Sequence, residues 1–342
     1  MKILTANFDE QYQLIDSGNS YKLERFGNNI VARPDTNCVW QRQMPATEWN
    51  KATAIFRSGN SGPGFSNQGD SGLGFSSQSN SGHGWEFKNG FKEPWIINYN
   101  KLKTEGICKN QIRMQLRATA SKNAPVTKNI GIFPEQSAHW LWFSKLIAGA
   151  KKQPNILNLF AYTGAATLCA AAAGAKVCHV DAAKSTVTWA NQNQELSGLQ
   201  NAPIRWIVDD CAKFVTREIK RGVKYDGIIM DPPAFGRDQK GKVFEFEKQV
   251  CNLLALCNQL LSSEPLFFIF NGYSMGYSAT VLKNLVHDYF SVSGLSAIVP
   301  QGRRLESMDK SPHIEFGELQ ISEIGQERNL PCSLYARFLT LS

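Results

Sequence analysis

Several features that would steer the reading of this 342-residue chain are missing. Its eight cysteines stand at 38, 108, 169, 178, 211, 251, 257 and 332, and they form no Cys-x-x-Cys pair. No two histidines stand at ligand spacing either, so neither a zinc site nor any other metal site is expected. Cys169 and Cys178 lie inside apolar runs and read as small core residues in a reducing compartment. No apolar run approaches the roughly 18 residues a membrane helix needs. The first ten residues carry acids early and no apolar core segment, which excludes a secretory or transit signal as their reading. A soluble cytoplasmic protein, with no membrane contact, is the expectation.

What is present begins with size and charge. The length is enough for a sizeable core, with two domains as the natural division. A net charge of +8 permits a polyanionic partner without demanding one. Residues 1–57 read as short strands and turns. Within them, Tyr21-Lys-Leu-Glu-Arg-Phe26 and Ile30-Val-Ala-Arg33 flank a Gly-Asn-Asn turn, as in a hairpin. Three near-copies of one pattern follow: Asn60-Ser-Gly-Pro-Gly-Phe65, Asp70-Ser-Gly-Leu-Gly-Phe75 and Asn80-Ser-Gly-His-Gly-Trp85. Their Ser, Gly and Asn content buries too little apolar surface to offset ordering, so 58–90 reads as a surface insertion.

Residues 95–103 and 112–117 alternate apolar and polar residues, as on a half-exposed antiparallel pair. Between 101 and 128, Lys101, Lys103, Lys109, Arg113, Arg117, Lys122 and Lys128 face the single acid Glu105. Such one-sided charge is either a solvated strand face or a phosphate-contacting surface for RNA.

From about 137 the pattern changes. A helix over 137–147 is followed by strands at 156–160, 176–180, 204–208, 226–230 and 265–271. Helices at 164–174, 183–196, 210–221, 244–262 and 278–289 separate them. This alternation predicts βαβ units and a doubly wound, mostly parallel Rossmann-like α/β sheet. The last runs, 314–324 and 332–341, have no helix between them and predict an antiparallel pair at one edge. The expected organisation is a β-rich domain over 1–130 and a catalytic domain over 131–342.

Three strand ends could carry chemistry. Strand 156–160 runs through Ala161-Tyr-Thr-Gly164 into an Ala-rich helix, whose N-terminal amides face the crevice where ligands of open α/β sheets bind. That turn is not Gly-x-Gly-x-x-Gly; it holds one glycine, and so suits a nucleoside cofactor without a pyrophosphate better than NAD. Asp181 closes the second strand, where a carboxylate can accept both ribose hydroxyls or cap the next helix. Asp209 and Asp210 close the third; one of them can accept from an adenine amino group, and Asp210 competes as a helix cap. Asp231-Pro-Pro-Ala-Phe235 follows the fourth. Its prolines stiffen the loop, Asp231 can accept from an exocyclic amine, and Phe235 can stack on a planar group. The alternative for that segment is a structural Pro-Pro turn.

On these motifs, residues 154–280 resemble class I S-adenosylmethionine-dependent methyltransferases, and most of all the RlmI-like family of bacterial 23S rRNA methyltransferases. The stretches that carry the resemblance are 155–166, 179–184, 189–193 and 225–236, with Gly131-Ile-Phe-Pro-Glu-Gln136 upstream. The resemblance implies S-adenosylmethionine as cofactor and RNA as acceptor. It implies that Phe160, Tyr162 and Gly164 line the methionine side, that Asp181 holds the ribose, and that Asp209 or Asp210, with Cys211, flanks adenine. Phe133 and Gln136 would add cofactor contacts, and Asp231, Pro232 and Phe235 would face the acceptor.

One departure bears on the chemistry. Cytosine-C5 transfer needs a covalent nucleophile, and the family pattern puts a cysteine just after the fifth strand. Here that place reads Phe268-Ile-Phe-Asn271-Gly-Tyr-Ser-Met275. Transfer to nitrogen or oxygen needs chiefly an aligned lone pair. A methyltransferase acting on a protein or small molecule, and a non-catalytic RNA-binding protein on the same fold, are the alternative readings.

Overall fold

A computed structural model describes residues 1–57, 84–88, 90–118, 127–237, 243–273, 276–291 and 312–339. Most of the Ser/Gly repeat lies outside them, as do Lys122, Ser274 and Met275. The chain begins with β1 (Lys2–Thr5), β2 (Tyr12–Gly18), β3 (Tyr21–Phe26) and β4 (Asn29–Pro34). Asn19 and Ser20, which join β2 to β3, both have positive φ. Such a two-residue turn matches the right-handed twist of the strands it joins. The hairpin read from the sequence is β3–β4. Two further strands, β5 (Ala54–Arg57) and β6 (Gly84–Phe87), complete a five-stranded sheet in the order β2-β3-β4-β5-β6. The end of the repeat segment is therefore strand rather than loose insertion: Trp85 stands opposite Phe56 and packs edge-on against it.

Next come β7 (Trp95–Tyr99) and β8 (Ile112–Leu116), an antiparallel pair. Trp95, Ile97, Tyr99, Ile112, Met114 and Leu116 are buried, while Ile96 and Arg113 are exposed, so the alternation in the sequence is an alternation of faces. The run 101–103, read as strand, is instead a helical turn, Lys101–Thr104, that buries Leu102. A single inward side chain with polar neighbours satisfies either period, which is why the sequence pattern did not separate them.

The remaining elements alternate: α1 (Ser137–Ala148), β9 (Asn155–Leu159), α2 (Ala165–Ala172), β10 (Lys176–Asp181), α3 (Lys184–Leu196), β11 (Ile204–Val208), α4 (Cys211–Lys220) and β12 (Gly227–Met230). A small hairpin of β13 (Phe235–Arg237) and β14 (Val243–Glu245) precedes α5 (Phe246–Leu260), β15 (Phe267–Gly272) and α6 (Ala279–Phe290). The long pair β16 (His313–Ser322) and β17 (Asn329–Leu339) closes the chain. The large sheet has the order β1-β16-β17-β15-β12-β9-β10-β11. Strands β9, β10, β11, β12 and β15 are mutually parallel, and β17 runs against β15.

Successive residues feed opposite faces of this sheet. Phe267 and Ile269 join a core with Trp140, Phe143 and Leu168, whereas Phe268 and Phe270 join another with Leu254, Phe290 and Phe338. Helices on both faces make it doubly wound. The antiparallel pair lies beside β15 as expected, but β1 lies outside it, parallel to β16. The chain's first strand thus belongs to the sheet of its second half. No helix among the described residues is long and apolar enough to cross a membrane.

Candidate active site

The chain leaves β9 toward β10 on one side and reaches β12 on the other, so the crevice beyond the carboxyl end of β9 is a topological switch point. The turn entering this crevice is contorted. Phe160 and Tyr162 both have positive φ, 55° and 49°, and Gly164 follows at 90°. Two bulky residues in the left-handed region within three positions store strain that persists only where the surroundings impose it. The restraint is Asp181 at the end of β10. Its Oδ2 accepts from the Tyr162 amide at 2.9 Å, and its Oδ1 accepts from Ala183 at 2.9 Å. Burial pushes the Asp181 carboxyl up, and those two amides offset part of the shift.

A cavity of about 450 Å³, open to solvent, fills the crevice. Ile132, Phe133, Phe160, Tyr162 and Ile229 supply apolar walls; Gln136, Asn158, Asp231 and Asn271 supply polar ends. This mix of apolar wall and a few convergent polar groups is what a small-molecule site offers. Phe133 stands 5.5 Å from the Tyr162 ring and 5.4 Å from Tyr273, forming an aromatic row along the rim. The Gln136 Nε2 donates to Tyr273 Oη at 2.7 Å and to Asp231 Oδ2 at 3.4 Å. The other oxygen of that carboxylate, Oδ1, is buried with no partner. Burial, then the nearby Glu135 carboxylate, push Asp231 up to about 8.

Of the residues singled out in the sequence, the cavity brings together Phe133, Gln136, Phe160, Tyr162, Gly164 and Asp231. Asp181 reaches it through Tyr162. Asp209 pairs with Arg217 and accepts from the Asp210 amide at 2.8 Å. Asp210 caps α4, accepting from Lys213 at 2.9 Å, so the capping role weighed for it is filled. Cys211 is buried in the first turn of α4, and burial holds its thiol well above the usual range. Pro232 is buried beside Asp231; the backbone of Phe235 begins β13, while its side chain lies outside what the structure describes.

The sequence reading passed over Asn158. It carries an amide inside the apolar strand Ile156-Leu-Asn-Leu-Phe160, and that interruption was the available signal. Its Nδ2 donates to Thr167, which in turn bonds His179. Asn271, in the segment where the family pattern puts a cysteine, lines the cavity as a hydrogen-bonding group.

These features fit a nucleoside cofactor carrying an amino-acid tail: a crevice at the switch point, one glycine in the turn, a carboxylate at the end of the second strand, and apolar walls with a few polar ends. Residues 91–283 match the family model described as S-adenosylmethionine-dependent methyltransferase. The crystal structure of the SAM-dependent methyltransferase from Agrobacterium tumefaciens is similar with a TM-score of 0.80 and 32% identity, over 99% of this chain and 93% of that one. Ribosomal RNA large subunit methyltransferase K/L of Shewanella baltica is 36% identical over 120 residues, covering 34% of this chain and 16% of its own length. The protein of the same name from Shewanella frigidimarina is 38% identical over 97 residues, 28% of this chain and 13% of its own. The match thus spans about a sixth or less of the length of these curated relatives.

The chain belongs to the S-adenosylmethionine-dependent methyltransferase family. Its cofactor is S-adenosylmethionine, and its sheet is the doubly wound α/β sheet of that class.

Proposed function

We propose that the chain methylates a base nitrogen in RNA, with large-subunit ribosomal RNA as the substrate class and the cytoplasm as its place of work. The observation that carries this reading is Asp231 Oδ1, a buried acceptor with no partner at the edge of the cofactor cavity. An exocyclic amino group of a base supplies the donor that this oxygen lacks. Bound S-adenosylmethionine supplies an electrophilic methyl group. Asp231 accepts the amine N–H, aims the nitrogen lone pair and takes the proton released as the N–C bond replaces the methyl–sulfur bond, whose electron pair stays on sulfur. The names of the Shewanella relatives support an RNA acceptor, and the lack of a cysteine at 268–275 supports nitrogen over C5.

In the same reading, Phe160, Tyr162 and Gly164 line the methionine end, Phe133 and Gln136 add cofactor contacts, Asp181 holds the ribose, and Asp209 or Asp210, with Cys211, flanks the adenine. Asp231, Pro232 and Phe235 face the acceptor. Residues 1–130 form a β-rich part that presents RNA to the catalytic part, 131–342, while lending β1 to its sheet.

The test is transfer of tritiated methyl from S-adenosylmethionine into total RNA and, separately, total protein from cells lacking this enzyme. Label is expected in RNA. Label confined to protein or small molecules overturns the RNA acceptor, and calorimetry showing no binding of S-adenosylmethionine overturns the enzyme reading.

A further inference from the structure

A chain of buried polar groups runs from the cavity to β17. Asn271 Nδ2 donates to Gln136 Oε1 at 3.1 Å, His139 Nε2 lies 3.1 Å from Asn271 Oδ1, and Arg337 Nη1 lies 3.1 Å from His139 Nδ1. Arg337 stacks on Trp142 at 4.1 Å and is held by Glu315, its Nε at 2.9 Å. All of Gln136, His139, Asn271 and Arg337 are buried.

Each link in this chain has a forced direction. A guanidinium has donors only, so the His139 nitrogen facing Arg337 must accept. Burial and the Arg337 charge hold the imidazole well below its usual range, so it is neutral and its single proton sits on Nε2. That proton turns the Asn271 oxygen toward His139 and its amino group toward Gln136. The Gln136 oxygen is thereby taken, and its amino group faces Asp231 and Tyr273. A reversed amide at Gln136 would set oxygen against oxygen at the ionised Asp231 carboxylate, the form that takes up the proton.

We propose that Arg337, His139 and Asn271 are positioning residues that fix the amide of Gln136, so that Gln136 occupies Asp231 Oδ2 and leaves Oδ1 free for the acceptor. The inference rests on the methyl-transfer reading above. The titratable groups facing Asp231 are Glu135, beside Gln136, and Tyr273, beyond β15; both act on it whether or not the chain is intact.

A double-mutant cycle in the full-length protein tests the proposal. His139→Phe keeps a ring of similar shape without polar atoms; His139→Gln keeps an acceptor and a donor. We expect His139→Phe to lower kcat about tenfold or more in the presence of Gln136 and about twofold or less in a Gln136→Met background, because the relay acts only through Gln136. His139→Gln should stay within about threefold of wild type, and within each background His139→Phe should leave the calorimetric affinity for S-adenosylmethionine equal to that of its parent. Equal losses in both backgrounds would show plain structural damage and overturn the proposal. If His139→Phe does not bind cofactor, Asn271→Leu breaks the same chain in the same cycle.

Carbon-13 titration of the Asp231 carboxyl reads the relay without any acceptor: its midpoint should rise in His139→Phe and Gln136→Met, and an unmoved midpoint overturns the relay. If wild-type protein labels no RNA, the functional reading fails while this titration still decides the relay.

Discussion

The Asp181 carboxylate, at the end of one strand, accepts a 2.9 Å hydrogen bond from the amide of Tyr162, in the turn after its neighbour. This bond holds Tyr162 at φ 49°, a conformation a tyrosine does not otherwise favour. One side chain therefore both closes β10 and shapes the wall of the cavity.

Asp181→Asn should weaken that wall. The amide retains one acceptor where the carboxylate had two, so either Tyr162 or Ala183 loses its partner, at a cost of ~1–3 kcal/mol. We expect calorimetric affinity for S-adenosylmethionine to fall about tenfold or more. An affinity equal to wild type would remove Asp181 from the cofactor site.

The acid–base behaviour of Asp231 has a definite sign. In the unfolded chain its carboxyl ionises near the ordinary value of about 3.9; in the fold, burial and Glu135 hold it up to about 8. Its contribution to stability is fully present below about pH 4 and is lost as pH rises through about 8. Asp231→Asn has no such dependence, so its melting temperature should gain on wild type between pH 5 and 8.5 while turnover disappears. For the wild type, kcat/KM should rise with pH to a plateau above about 8. A flat profile, or turnover by Asp231→Asn, would contradict the assignment.

Two glycines are constrained by side chains of α3. Gly131 has φ 105°, and a Cβ there would lie 2.4 Å from the Trp189 ring; Gly164 has φ 90°, with Ala190 Cβ at 3.0 Å. The backbone strain alone is worth ~1–3 kcal/mol. Gly131→Ala should lower stability in urea by at least that much, and more than Gly164→Ala, since a ring must move rather than a methyl group.

The N-terminal sheet is clamped to the C-terminal hairpin through Asp16 and Arg328. Asp16, fully buried, accepts from Arg328 Nη2 at 2.8 Å, Trp49 Nε1 at 2.8 Å and the Met44 amide at 3.0 Å. Arg328 keeps Glu323 at 2.9 Å, but Trp49 Nε1 and the Met44 amide would lose their acceptor. Asp16→Ala should cost ~1–3 kcal/mol in chemical denaturation while leaving the cofactor affinity of the remaining folded protein intact.

RNA binding should report on the basic segment. Lys103, Lys109 and Arg113 are exposed, whereas Arg117 is already engaged with Gln192 at 2.6 Å and stacked on Trp189 at 4.8 Å. Neutralising the three exposed residues should weaken RNA binding and flatten its dependence on log salt by about one unit for each phosphate that is no longer neutralised. An unchanged slope would make this segment a solvated face.

The sequence by itself determined what depends on near neighbours. Periods of two and of three to four residues set β9, α2, β10 and α3, and the single glycine at 164 with Asp181 at a strand end pointed to a nucleoside cofactor. Tertiary structure decided what depends on residues far apart in the chain. Lys2–Thr5 is too short a run to announce a strand; it becomes one because β16 offers an open edge. The strained φ of Tyr162 exists only once Asp181 is in reach. The contact between Gln136 and Asn271 joins positions 135 residues apart, and no local pattern encodes it. The direction of its hydrogen bond was settled further away still, by a guanidinium on the last strand that can only donate.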